Sequence, residues 1–222
     1  MNKVLTKSVV LFLTFITFSV MLLYLSSNIR YQAATSKKII YLDPGHGGFD
    51  GGCINNELSI IEKDIVLDIS LKLKNILERS GYLVLLTRES DISLADNKRE
   101  DILKRVSLIN DSNAICFVSI HANSYPSKQI SGAQSFYKRE DSLELAKLIQ
   151  ENIQKIDIKN DRKTKKLDGK YLLDHVNKIG CLVEVGFLSN DNEAKRLKND
   201  FYQTMIAYAV YLGITEYIQN GE

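Results

Sequence analysis

The chain of 222 residues has no tryptophan, two prolines and three cysteines, and its formal net charge is only +2. Each scarcity excludes something. Cys53, Cys116 and Cys181 are an odd set at wide spacing, so a disulfide-stapled scaffold is ruled out. Cys116 and Cys181 sit in apolar runs and read as buried thiols, whereas Cys53 follows a glycine-rich stretch and reads as a loop cysteine or one facing a site. The small positive charge comes from the start of the chain. Residues 1–30 hold Lys3, Lys7 and Arg30 and no acid, which leaves 26 basic against 27 acidic groups, a net of −1, in the rest. A body this neutral is not a general nucleic-acid binder. With 25% charged and 45% hydrophobic residues it is not disordered either.

What is present begins with a membrane segment. Ser8 to Asn28 carries no charge and is rich in Val, Leu, Phe and Ile. As a helix it would be about 31 Å long, the thickness of a bilayer core. Two lysines before it and Arg30 after it favour an N-in, C-out signal-anchor. A cleaved signal peptide is the rival, and either reading exports the rest of the chain. The expected division is an anchor over 1–30, a linker over 31–37 and one catalytic domain over 38–222.

The body alternates strand and helix patterns. Strands are expected at Lys38–Leu42, Tyr82–Leu86, Ala114–Ile120, Ala133–Tyr137 and Leu182–Val185. Helices are expected at Glu62–Ser80, Asp101–Asn110 and Ser142–Ile156, with two more at the C-terminus, one capped by Asn190 and one over 201–218. Residues 159–170 read as a polar, lysine-rich loop. No internal repeat and no appended wall-binding module is evident. This order predicts an α/β fold with a single, mostly parallel sheet flanked by helices.

Three places interrupt the apolar pattern, each at or near a strand's end, where open α/β sheets bind ligands. They are Asp43-Pro44-Gly45-His46-Gly47-Gly48, Ser119-Ile120-His121-Ala122-Asn123, and a carboxylate, Glu184, inside LVEVGFL. His46 and His121 are two of only three histidines; His175, in a mixed segment, reads as incidental. Imidazole is a zinc ligand, but either histidine could be structural. Glu62 opens the first long helix, where an acid is favoured by the dipole alone. A short loop could also return it to His46, completing a His, Glu, His set suited to metal-assisted hydrolysis. An unpaired ion at Glu184 would cost several kcal/mol in that strand. It must be paired, protonated or used, as a general base or as the metal's carboxylate ligand in place of Glu62. The glycines at 45–52 lack the spacing of phosphate-binding loops, and no serine or thiol nucleophile motif is present.

DPGHGG at 43–48, EKD at 62–64, SIHAN at 119–123 and LVEVGFLSN at 182–190, with TRESD at 87–91 and SGAQSFY at 131–137, resemble the zinc-dependent N-acetylmuramoyl-L-alanine amidases of the amidase-3 family. The resemblance runs from about Lys38 to Ile218. An anchor leading directly into a bare catalytic domain is similar to the CwlD type, the germination-specific amidases of endospore formers. It implies a sheet of about six strands, zinc on His46, Glu62 and His121, and Glu184 as catalytic acid/base. It also implies cleavage of the amide between the muramic acid lactyl group and L-alanine of the stem peptide. In the CwlD type that cut prepares muramic-δ-lactam formation in the spore cortex. Asn55-Asn56 and Lys178-Ile179-Gly180, the latter where a proline is common, depart from the family. Arg88 or the 159–170 loop could contact stem-peptide carboxylates, or carry surface or ion-paired charge. A zinc peptidase cutting elsewhere in the stem, or a non-enzymatic wall-binding module, is the alternative. The expected partners are peptidoglycan, the membrane through the N-terminal helix, and an accessory protein that positions the domain. The expected location is extracytoplasmic, anchored or secreted, at the forespore or cortex.

Overall fold

The computed structural model describes residues 13–24 and 37–221. Residues 13–24 form a helix, α1, with apolar and largely exposed side chains. The remainder of the expected membrane run and most of the linker lie outside the described residues. Among the described residues no helix is long and apolar enough to cross a membrane.

The body is built on a six-stranded sheet. Its strands are β1 (Ile39–Pro44), β4 (Leu83–Leu86), β5 (Cys116–Asn123), β6 (Gln134–Tyr137), β7 (Lys165–Lys166) and β8 (Gly180–Phe187), in the order β4-β1-β5-β8-β6-β7. A small hairpin, β2 (Ile54–Asn55) with β3 (Ile60–Ile61), stands apart. The pairings are parallel except that of β6 with β8. The central strands are apolar on both faces because helices cover both. Alternate residues sort accordingly. Leu42, Val118, Ile120, Val183 and Val185 join the larger core with α2 (Glu62–Arg79), α4 (Leu143–Ile156) and α7 (Asp200–Asn220). Tyr41, Phe117 and Leu182 join a smaller core with α3 (Lys98–Asp111) and the five-residue α5 (Tyr171–His175). That second face is thinly covered, which leaves space at the carboxyl ends of its strands.

The expected elements form, with shifted ends. α3 starts about a turn earlier than expected, where the Asn97 side chain accepts from Glu100 N–H. Asn190 caps α6 (Asp191–Leu197), and Asn199 caps α7. β5 runs on through His121, so that histidine lies in a strand rather than after one. The hairpin and α5 had no sequence expectation, and β7 lies within residues 159–170, which were expected to be loop throughout. Both family departures have structural partners. Asn55 is buried, donating to Leu188 O and Asp191 and accepting from Leu58 N–H. Gly180 faces Phe117, whose ring would lie 2.0 Å from any added Cβ.

Candidate metal centre and active site

The loop after β1 places His46, and it is held from below. Asp43, 1% exposed, accepts from Thr87 Oγ1 (2.7 Å), Ser119 Oγ (2.6 Å) and Arg105 Nη1 (2.9 Å). Arg105 also donates to the carbonyls of Pro44 and His46, and its Nε donates to Asp101. Arg88 donates to the carbonyls of Pro44, Gly45 and Lys63. Both arginines are 2% exposed. Burial opposes the charge on Asp43, but Arg105 and the two hydroxyls outweigh it and hold its carboxyl below the usual range. These clamps sustain a strained backbone: His46 has φ 60°, in a region non-glycine residues seldom occupy.

Glu62 comes from the larger face. It begins α2, whose first N–H groups donate to the carbonyls of Cys53 and Gly51 instead of to a side-chain cap. Its Oε2 accepts from Cys53 N–H (2.7 Å) and its Oε1 from Ala122 N–H (3.0 Å). Oε1 also lies 3.1 Å from His46 Nε2 and 2.9 Å from His121 Nδ1. One ligand atom from each of His46, Glu62 and His121 can be chosen within 4.8 Å of the others. Burial works against the charge on Glu62; the two imidazoles overcome it and lower its pKa strongly. Burial likewise opposes protonation of His46, yet Glu62 and then Asp50 raise its pKa. Asp50 Oδ2 is 2.9 Å from His46 Nδ1, on the opposite ring nitrogen, so it fixes the imidazole while Nε2 faces Glu62.

β5 and β8 complete the group. His121 is directly opposite Glu184 in the parallel register, so the two side chains share a face, and a bulge intervenes before Asn123 meets Phe187. Glu184 is 8% exposed, and its Oε2 is the buried side-chain polar atom without a hydrogen-bond partner among the described residues. Burial pushes its carboxyl up; His121 acts against that shift and Glu62 adds to it. Gly45 permits the close approach, since a Cβ there would lie 2.3 Å from His121 Cε1.

The sequence-predicted residues His46, Glu62, His121 and Glu184 thus converge. Arg88, read as a stem-peptide contact or an ion-paired charge, is buried with its guanidinium on backbone carbonyls of the loop and of Lys63. His175 is exposed, with Nδ1 2.8 Å from Tyr171 O, and is not among the grouped metal-type ligands. Cys116 and Cys181 are fully buried, as expected. Cys53 is half-buried beside Glu62, and burial with that carboxylate pushes its thiol up to about 12. Sequence reasoning missed Asp43, Asp50 and Arg105. The only available signal for Arg105 was its place on the apolar side of its helix, beside Ile102, Val106 and Ile109.

A cavity of about 220 Å3 opens from His46 and His121 across the thinly covered face. Its walls include Phe49, Tyr171 and Leu172, with Lys98 and Lys170 among its charged groups.

Residues 40–216 match the family model of N-acetylmuramoyl-L-alanine amidases. The chain is 45% identical over 192 residues to the germination-specific N-acetylmuramoyl-L-alanine amidase of Bacillus subtilis, covering 82% of this chain and 80% of that one. Among solved structures, the CwlD amidase of Clostridioides difficile, in complex with the GerS lipoprotein, aligns with a TM-score of 0.79 at 44% identity. That alignment covers 82% of this chain and 99% of the other. The catalytic domain of CwlV from Bacillus (Paenibacillus) polymyxa aligns with a TM-score of 0.75 at 30% identity, over 82% of this chain and 98% of that one. With motifs, fold and relatives in agreement, the chain belongs to the N-acetylmuramoyl-L-alanine amidase family of peptidoglycan hydrolases.

Proposed function

We propose that this chain is a zinc-dependent amidase of the CwlD type, cutting the amide between the lactyl group of muramic acid and L-alanine of the stem peptide. The observation that carries this reading is the convergence of His46, Glu62 and His121 beside a buried, unpartnered carboxylate, Glu184. Two imidazoles and one carboxylate are the donor set of catalytic zinc sites with three protein ligands, and the Asp50 contact orients one imidazole as such sites require. His46, Glu62 and His121 would hold the ion. Zinc in such a set supplies Lewis acidity at the scissile carbonyl and lowers the pKa of water to about 7. Glu184 supplies the proton path. Its Oε2 takes a proton from the attacking water as oxygen joins the lactyl carbonyl carbon. It then returns that proton to the alanine nitrogen as the C–N bond breaks. A carboxyl raised by burial suits both halves of that cycle better than a solvated one. The clamped loop keeps His46 in place without reorganisation.

The proposed setting is the spore cortex, where the cut, together with the action of a separate deacetylase, leads to muramic-δ-lactam needed for germination. Likeness to the germination-specific relative supports this setting. The proposed division keeps residues 1–30 as a signal-anchor and 31–37 as a linker, with the domain from residue 38 outside the cytoplasm. The charge-free apolar run and the break in internal contacts after Lys37 are in keeping with it. An accessory protein is part of the proposal, supported by the lipoprotein complex of the C. difficile relative. The test is digestion of peptidoglycan by the full chain, read by mass spectrometry, before and after chelation and zinc return. Whole stem peptides should be freed, and only with metal present. Shorter stem fragments would mark a stem peptidase, and metal-independent binding without products a wall-binding module.

A further inference from the structure

The cavity beside the metal ligands is rich in charge, and nearly all of that charge is cancelled from within. Arg105 serves Asp43 and Asp101. Lys98 lies 2.7 Å from Asp50, whose other oxygen faces His46. Lys170 is the exception. It lines the cavity at its rim, is solvent-exposed, and has no ion pair among the described residues. Lys166, in the same segment, is tied to Glu140, while Asp168 is taken by Lys138. Lys170 is near enough to the reacting carboxylate for its charge to act on Glu184. The wall next to it is apolar, made by Tyr171, Leu172 and Phe49.

A site that cuts before L-alanine must also hold the next residue of the stem. In a stem peptide that residue is D-glutamate joined through its γ-carboxyl, so its α-carboxylate hangs free as a short branch, or is amidated. One residue of chain spans at most about 3.6 Å, so this branch lies close to the departing nitrogen. A cavity with an apolar wall and a single unspent cation complements an alanine methyl with such a carboxylate beyond it. The flexible stem and compact charge of a lysine suit a monodentate, mobile carboxylate better than a fixed fork would.

We propose that Lys170 is a specificity-determining residue that receives the α-carboxylate of the stem-peptide D-glutamate and directs the peptide arm into this cavity. The proposal rests on the amidase reading above. The test uses the zinc-loaded full chain and two probes with the γ-carboxyl capped as a methylamide, L-alanyl-D-glutamate γ-methylamide, whose α-carboxylate is free, and its α-carboxamide, the isoglutamine form. Binding is measured by calorimetry, and hydrolysis with muropeptides bearing the same two stems. The wild-type chain should prefer the free carboxylate by about 3–5-fold in Kd and in KM, the range of a partly solvated ion pair. K170A should erase that preference, K170E should reverse it and K170R should restore it, while all three melt at the wild-type temperature. A preference that survives K170A and K170E, or is absent from the wild type, overturns the role of Lys170. In that case release of whole stem peptides by the wild type still upholds the amidase reading, whereas a zinc-loaded wild type that frees no stem peptide refutes the amidase reading itself.

Discussion

Gly45→Ala tests whether the ligand geometry is set by the close approach of the first loop to β5. An added Cβ would stand 2.3 Å from His121 Cε1, 2.5 Å from Nε2 and 2.6 Å from Nδ1. Carbon atoms sit comfortably at about 3.5 Å, so the ring must retreat by about 1 Å. It cannot do so alone, since its Nδ1 is held by Glu62 Oε1 at 2.9 Å. Overpacking of this kind costs about 1–3 kcal/mol of stability. The functional loss is larger in proportion, because a displacement of about 1 Å costs on the order of 100-fold in rate and metal–ligand distances tolerate only about 0.2 Å. We expect Gly45→Ala to fold, to melt lower, and to lose most of its zinc and about 100-fold in stem-peptide release. Gly81→Ala is the control. Gly81 has φ 94° and open space around the would-be Cβ, so its substitution strains the backbone without touching the site. It should lower stability and spare zinc binding. A Gly45→Ala protein with full zinc content and near wild-type turnover would refute the argument.

Four further outcomes are expected. Glu184→Gln should keep the fold and most of the metal but lose about 10²–10⁴-fold in rate; a stable variant at near wild-type rate rules out the base role, and one without metal makes Glu184 a ligand. Arg105→Ala should lose about 3–5 kcal/mol in urea denaturation, because Asp43 is left buried and unpaired; a loss under about 1 kcal/mol would contradict the clamp. Burial opposes the charge on Asp50, but Lys98 and then His46 hold its carboxyl at about 2 against an ordinary 3.8. Its contribution to stability is therefore present above 3.8 and lost as pH falls towards about 2; Asp50→Asn should flatten that part of the stability profile, and an unchanged acid limb would exclude the contribution. Removal of residues 1–30 should leave a soluble, folded domain, and retention in salt-washed membranes would contradict the anchor.

Three of the residues that converge, His46, His121 and Glu184, were legible because each broke a pattern, whereas Glu62 stood only as an acid at a helix start that a short loop could return to His46. A carboxylate in LVEVGFL and histidines at strand ends are conspicuous against apolar runs. The groups that hold them were not. Arg105 lies beside Ile102, Val106 and Ile109 on the apolar side of its helix, but nothing in KREDILKRVSLIND names its partners, which only the tertiary packing beneath the loop supplies. Asp43 and Pro44 read as a turn, although they end β1 and pair with Ser119 and Ile120 of β5. The reversed direction of β6 left no trace in its four residues, because alternation is the same in either sense. The segment YLLDH is too short for a helical period to register, so α5, and with it the wall of the cavity, was invisible.

The last strand of the sheet has a consequence of its own. β7 is two residues long, both lysines and both exposed, and it closes the side of the sheet opposite β4. A long, flat outer strand is a template on which another chain can lie down and hydrogen-bond. Here the template ends almost as soon as it begins, and of its two lysines Lys166 is already tied to Glu140. The polar stretch after α4 therefore offers a strand of another chain almost no backbone to pair with along that edge.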